Sequence, residues 1–202
     1  MNGKIDELLK KAEKQKEDSG GGKSSVTQAE RAFSNEVEAA EAFRKLREKL
    51  YDVNSWETDS GVSAFQLFDA TGRKLDSAVA ETGSFIRINL PGSGKNDWVR
   101  IVDIHDSADE VVVTVQPSFD PTAEEKDKIS HFFKSKASNN FCLGRDGARL
   151  VFYVIGLDEE ANTDETGGII ESARNLATAY AGWLGFQKIE WKTFCENFLN
   201  NR

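Results

Sequence analysis

The stretch Asp97–Gln116, DWVRIVDIHDSADEVVVTVQ, decides how the rest of the chain is read. Asp97–Ile104 and Glu110–Gln116 are strand-like runs, and the acidic segment Asp106–Asp109 between them is a turn. Two such runs joined so briefly form an antiparallel hairpin. Upstream, Ser84–Leu90 sets Phe85, Arg87 and Asn89 against Ile86, Ile88 and Leu90, one wet face and one buried. Pro91-Gly-Ser-Gly94 turns the chain after it. Ser63–Phe68 reads as a further strand closed by a turn at Asp69-Ala-Thr-Gly72. Downstream, Pro117 and Pro121 end the hairpin, and residues 122–130 are polar. Asn139–Leu143 and Ala148–Ile155 then flank Arg145-Asp-Gly147, where Asp-Gly marks another hairpin. Every clear connection is short, which predicts an antiparallel sheet of about six strands. No strand–helix–strand crossover is visible, which argues against a nucleotide-binding α/β fold.

Such a sheet needs cover for its apolar face. The flanks supply it. Thr27 stands three residues before Glu30, the spacing of a capping box. Phe33, Val37, Ala40, Phe43, Leu46 and Leu50 then recur at helical spacing, so Thr27–Tyr51 reads as one long helix with a single buried face. Trp56 falls just past its end, where an aromatic ring would plug the junction of helix and sheet. After Gly167-Gly168, the residues Ile169, Ala173, Leu176, Tyr180, Trp183 and Leu184 mark a helical face. Gly185 stops or kinks it. Ile189, Trp191, Phe194, Cys195 and Phe198 mark a second, too aromatic for a solvated tail. The fold class is therefore α+β: one domain over residues 26–202, a curved antiparallel sheet packed against N-terminal and C-terminal helices.

Residues 1–25 read differently. Ile5, Leu8, Leu9 and Ala12 fall on one face of a short charged helix, and Asp18–Ser25 with its three consecutive glycines is a linker. Four apolar side chains are few to hold an isolated helix in water. The expectation is a mobile tail, with docking on a partner as the alternative.

The chain has 202 residues, 39% of them apolar, and a net charge of −8, so it supports an ordinary core under an acidic surface. No run reaches the length of a membrane span, and Met1–Lys16 lacks the apolar centre of a secretory signal. Two cysteines, Cys142 and Cys195, then point to a reducing cytoplasm and free thiols. Acids cluster at Asp103–Glu110 and Asp158–Glu165 while lysines are scattered, which disfavours nucleic acid as a partner.

The motifs that could carry chemistry are incomplete. Gly20-Gly-Gly-Lys-Ser24 looks like the end of a phosphate loop, but Glu17 occupies the position of its first glycine. Gly92-Ser-Gly-Lys95 is followed by Asn96 where a hydroxyl should hold magnesium. Asp158, Glu160, Asn162 and Asp164 alternate like early calcium ligands, but Thr163 and Ile169 stand where glycine and a bidentate glutamate belong. His105 and His131 are the only histidines, too few for a zinc site at this spacing. Each is a candidate base without a nucleophile motif beside it. Neither cofactor nor metal is implied, and enzymatic activity is not favoured.

The aromatic residues remain. Their bland role is core packing. Their functional role places Phe65, Phe85, Trp98, Tyr153 and Tyr180 around an apolar cavity between sheet and terminal helix, polar tips orienting a ligand. In element order the chain resembles a helix-grip, or START-like, domain. The matching parts are Glu38-Ala-Ala-Glu-Ala-Phe43 running through Tyr51 to Trp56, the strands from Ser63 to Ile155, and the helix from Gly168. The resemblance implies a curved sheet wrapped around a long C-terminal helix, often with an apolar cavity for lipids, sterols or other hydrophobic small molecules; some members are cyclases or dehydratases. That family begins with a strand, where Phe33–Leu50 reads here as helix, and ends in one helix, where Gly185 suggests two. The first functional expectation is thus a non-catalytic cytoplasmic module binding an apolar small molecule. The alternative is a protein-interaction or homo-oligomerising domain that uses Trp191–Leu199.

Overall fold

A computed structural model describes residues 3–18, 23–56, 63–89, 96–124, 129–130, 133–160 and 189–200. The six strands read from the sequence are present as β2 (Ala64–Phe68), β4 (Phe85–Asn89), β5 (Asn96–Asp106), β6 (Glu110–Pro117), β7 (Ser138–Asp146) and β8 (Arg149–Leu157). Two more join them, β1 (Ser24–Ala32) and the two-residue β3 (Lys74–Leu75). All eight pair antiparallel in the order β1-β8-β7-β6-β5-β4-β2-β3. The turns behave as their residues dictate: Gly72 and Gly147 take positive φ of 84° and 57°, a region closed to most side chains.

Among the described residues three α-helices complete the fold: α1 (Lys4–Asp18), α2 (Glu36–Tyr51) and α3 (residues 189–200). Among the described residues no helix is long and apolar enough to cross a membrane. The helix expected from Thr27 starts nine residues later. Its cap is Asn35, whose Oδ1 accepts the Glu38 N–H at 3.0 Å while its Nδ2 donates to Glu38 Oε1 at 3.0 Å. Thr27 and Glu30, the supposed capping box, lie in β1. The cause is tertiary. Ser24↔Leu157 through Ala32↔Arg149 give β8 nine residues of pairing, and a helix there would leave that edge open. β1 also removes one departure from the helix-grip order, since a strand now precedes α2.

The pairing register sorts side chains onto two faces. The inner face carries Phe65, Leu67, Ile86, Val99, Ile101, Val113, Phe141, Leu143, Phe152 and Val154 and is covered by α2 and α3. Helix α2 buries Ala39, Phe43, Leu46 and Leu50, leaving Val37 78% exposed. Helix α3 buries Phe194, Cys195, Phe198 and Leu199. Trp56 sits between, fully buried, as the expected plug. Its ring lies 5.7 Å from Phe65 on β2 and 4.6 Å from Phe141 on β7. Those strands are four steps apart, roughly 19 Å in a flat sheet, yet their rings come within about 10 Å of each other, so the sheet curls around this plug.

The outer face is also apolar at its β6–β8 end, and α1 covers it. Ile5, Leu8 and Ala12 pack on Val112, Cys142, Ile155 and Leu157. The segment expected as a mobile tail is therefore a docked helix. Four apolar residues cannot hold a helix alone, but here a ready-made sheet face receives them. Gly144 lets Ile5 approach so closely that a Cβ there would stand 3.0 Å from Ile5 Cδ1. The Glu110 carboxylate accepts the Lys4 N–H at 2.8 Å, capping the helix start with the charge its dipole favours.

Candidate functional site

The inner face is where apolar cover and buried polar groups meet. Under α3 it is filled by rings: Phe194 lies 5.8 Å from Phe152 and 5.7 Å from Trp56, and Phe198 stacks on Phe152 at 4.1 Å. Among the described residues, Trp56 Nε1 is buried there without a hydrogen-bond partner. Two positions from Phe141 on the same face of β7, Asn139 Oδ1 is likewise buried and has no partner among the described residues. Buried polar atoms are nearly always paired, so two orphans on one face of one sheet mark it out.

Two carboxyls are buried on this side of the sheet as well. Glu159, 5% exposed, follows the end of β8 and folds back over Gly156, the register partner of Asn139. Gly156 has no side chain because a Cβ would overlap the Glu159 carboxyl and Ser25 Oγ. Burial pushes the Glu159 carboxyl up to about 7, against the opposing effect of the Ser25 hydroxyl, which donates to Oε1 at 3.1 Å. With Asn139, Glu159 borders a narrow crevice walled by Val99, Val115, Pro117, Phe133 and Ala137. Glu190, at the start of α3, accepts a hydrogen bond from Ser63, and burial raises its carboxyl also.

The residues singled out as a cavity lining do not converge. Phe65 is on the inner face, against Trp56 and Phe194. Phe85 and Trp98 are on the outer face, in a separate cluster with Phe68 and Phe119. There Arg87 and Arg100 lie over the Phe68 and Phe85 rings at 5.4 and 5.8 Å. Tyr153 is also on the outer face, half-buried beside α1. Tyr180 lies outside the described residues. Neighbouring residues on a strand face opposite ways, so the partners of Phe65 in the interior are Ile86 and Phe152, not Phe85 and Tyr153. Trp56 was legible from its place after the helix; Asn139, Glu159 and Glu190 carried no sequence signal, since each reads as ordinary polar surface.

The remaining candidates have structural occupations. His105 Nε2 stands 4.0 Å from Glu110 Oε2, on the rim of an open hollow with Gly3, Lys4, Glu7 and Asp109, where Glu110 caps α1. His131 lies outside the described residues. Asp158 is taken by Gln15 at 2.8 Å and Lys11 at 3.6 Å, and Glu160 by Lys23 at 3.0 Å and Lys134 at 3.5 Å, so these acids serve as ion-pair partners. Asn162 and Asp164 lie outside the described residues, among which no metal-ligating cluster of three occurs. Cys142 and Cys195 are free and buried, on opposite faces of the sheet. Burial pushes both thiols up, Cys195 to about 12. The tail rings Phe194 and Phe198 are buried in the core.

No protein-family model matches the chain, and no curated protein matches it significantly. Solved structures do. A hypothetical protein from Helicobacter pylori aligns with a TM-score of 0.53 at 9% identity, covering 87% of this chain and 86% of that one. Major latex-like protein 151 from Panax ginseng aligns with a TM-score of 0.40 at 15% identity, covering 84% of this chain and 97% of that one. The di-domain ARO/CYC StfQ from the steffimycin biosynthetic pathway aligns with a TM-score of 0.45 at 8% identity, covering 94% of this chain and 54% of that one. At these identities the likeness concerns the fold alone, and of the three the first is close enough to carry it.

Proposed function

We propose that the chain is a non-catalytic module that takes an apolar small molecule on the inner face of its sheet, beneath the C-terminal helical segment. The observation that carries this reading is a pair of buried atoms without a hydrogen-bond partner among the described residues, Trp56 Nε1 and Asn139 Oδ1, on a mostly apolar face. A ligand site is mostly apolar with a few placed polar groups that orient the guest. Each orphan costs about 1–3 kcal/mol while unsatisfied, and a ligand polar atom would recover it. The core does not need either atom: phenylalanine or leucine would fill the space without that cost. The helix-grip resemblance points the same way. The cytoplasm is the compartment proposed, in keeping with two buried free thiols, and the acidic balance makes nucleic acid a poor partner.

The test is a thermal-shift and native mass-spectrometry screen against fatty acids, sterols and aromatic metabolites, on wild type and Trp56→Phe. The variant keeps the ring and loses the N–H. A hit should raise the wild-type melting temperature by several degrees and show a one-to-one mass adduct. Trp56→Phe should match or exceed wild-type stability when empty and lose most of the ligand shift. Absence of any adduct across the three classes would sink the proposal, as would a hit whose shift is the same in both proteins.

A further inference from the structure

Ser24 and Ser25 are neighbours at the start of β1, so their side chains leave on opposite faces. Ser24 Oγ donates to the carbonyl of Ala12 in α1 at 2.6 Å, on the outer face. Ser25 Oγ donates to Glu159 on the inner side. The end of β8 repeats the split. Asp158 and Gln15 of α1 exchange two hydrogen bonds: Gln15 Nε2 donates to Oδ1 at 2.8 Å, and the Asp158 N–H donates to Gln15 Oε1 at 3.0 Å. The next residue is Glu159, whose N–H donates to the Lys23 carbonyl at 3.0 Å. Asp158 is held at φ 54°, a left-handed conformation that non-glycine residues avoid. Two adjacent residue pairs on neighbouring strands thus tie one outer helix to one inner carboxyl.

We propose that the charge on Glu159 controls whether α1 stays docked on the outer face. Ionisation of this buried carboxyl draws the Asp158–Glu160 turn towards water, breaks the Gln15–Asp158 exchange, and lifts α1 from Val112, Cys142, Ile155 and Leu157. Among the described residues the charged groups around the turn are Lys23 just ahead of β1, Lys134 ahead of β7, Lys11 on α1, and Asp158 and Glu160 beside Glu159 itself. Lys23 and Lys134 both pair with Glu160, and Lys11 pairs with Asp158. The direction follows from the docked carboxyl being held at about 7, above its ordinary value of 4.5. Docking is complete below the ordinary value and is lost as pH rises through about 7. A ligand on the inner face that changed the ionisation of Glu159 would shift α1 in the same way. That last step rests on the ligand reading above; the charge coupling does not.

Cys142 is a built-in reporter, fully buried beneath α1. Its alkylation rate, separated from that of Cys195 by peptide mapping, should be compared between wild type and Glu159→Gln at matched pH. The thiol's own pH dependence cancels in the ratio. The wild-type/variant ratio should be smallest near pH 5, climb towards pH 7 and level above it. The plateau should exceed about fivefold and stay below roughly 300-fold, the ceiling set by a full return of Glu159 to the ordinary carboxylate range. Gln15→Ala should speed labelling at every pH. Ser25→Ala removes a hydroxyl that favours the charged form and should move the midpoint upward. A flat ratio overturns the proposal. So does a midpoint that ignores Ser25→Ala, or a Gln15→Ala protein that labels like wild type. None of these readouts uses a ligand, so the coupling can fail while the binding proposal stands, and the reverse.

Discussion

Phe194→Ala tests the packing on which the inner face depends. Phe194 has no exposed surface, and its ring lies 5.7 Å from Trp56, 5.8 Å from Phe152, 6.0 Å from Phe141 and 6.2 Å from Phe65. Truncating a buried phenylalanine costs about 3–5 kcal/mol, and the spread reflects how far the surroundings collapse into the hole. Here they collapse little. Phe65, Phe141 and Phe152 are anchored on β2, β7 and β8, whose pairing holds them in place. The upper half of the range applies, about 4–5 kcal/mol. A domain of this size shifts its melting temperature by roughly 2–4 °C per kcal/mol, which gives a fall on the order of 10–20 °C. Guanidinium unfolding followed by far-ultraviolet circular dichroism measures the free energy directly, with an unchanged m-value showing that the endpoints are the same. Ile189 is the internal control: it stands on the same helix but is 72% exposed, and Ile189→Ala should stay within about 0.5 kcal/mol of wild type. A loss below about 1 kcal/mol for Phe194→Ala, with m unchanged, would mean that α3 is not seated on the sheet as described.

Three further substitutions probe the parts that hold the inner face in shape. Asn35→Ala removes the cap of α2 and should cost about 1 kcal/mol in the same unfolding assay, whereas Thr27→Ala should cost less than about half of that, because Thr27 caps nothing; the reverse order would restore the longer helix. Tyr51 donates to Asp106 Oδ2 at 2.7 Å beside Arg47, which donates to the same oxygen, so Tyr51→Phe should cost about 1 kcal/mol. Burial, with the Asp106 hydrogen bond behind it, pushes the Tyr51 phenol up to about 12. Its contribution is complete below pH 10, the ordinary phenol value, and is lost as pH rises through 12. Ultraviolet titration should show a late phenol in wild type that is missing from Tyr51→Phe.

The sheet was legible because its strands are short, β-branched and separated by turn residues that act locally. Glycines at 72 and 147 do at φ 84° and 57° what Asp-x-x-Gly and Asp-Gly predict. β1 was not, because its inner positions are Thr27, Ala29 and Arg31 and its outer ones Val26, Gln28 and Glu30, with no binary contrast to reveal period two. Its conformation comes from the open edge of β8, a long-range cause. The docking of α1 did have a signal. β6 and β8 contain continuous apolar runs, Val111–Val113 and Leu150–Ile155, of the kind a strand shows when both faces are buried. Such runs require cover on the second face, and α1 is the amphipathic segment available.

The site failed on parity. In Leu150–Ile155 every residue but Tyr153 is aliphatic or Phe, so the sequence does not say whether the odd or the even positions face inward. Register decides it, and register is set by turns and by the bulge between Ile101 and Asp103 on β5. One step of error exchanges Phe152 for Tyr153 and Ile86 for Phe85, and so disperses a lining chosen by residue type. The same one-residue alternation separates Asp158 from Glu159. In sequence they are two acids in a solvated run. In space the first is bonded to a helix on one side of the sheet, and the second is buried on the other. No composition argument distinguishes them. A single peptide unit joins them across the end of the sheet, which is why the proposed link between the Glu159 charge and α1 runs through this turn.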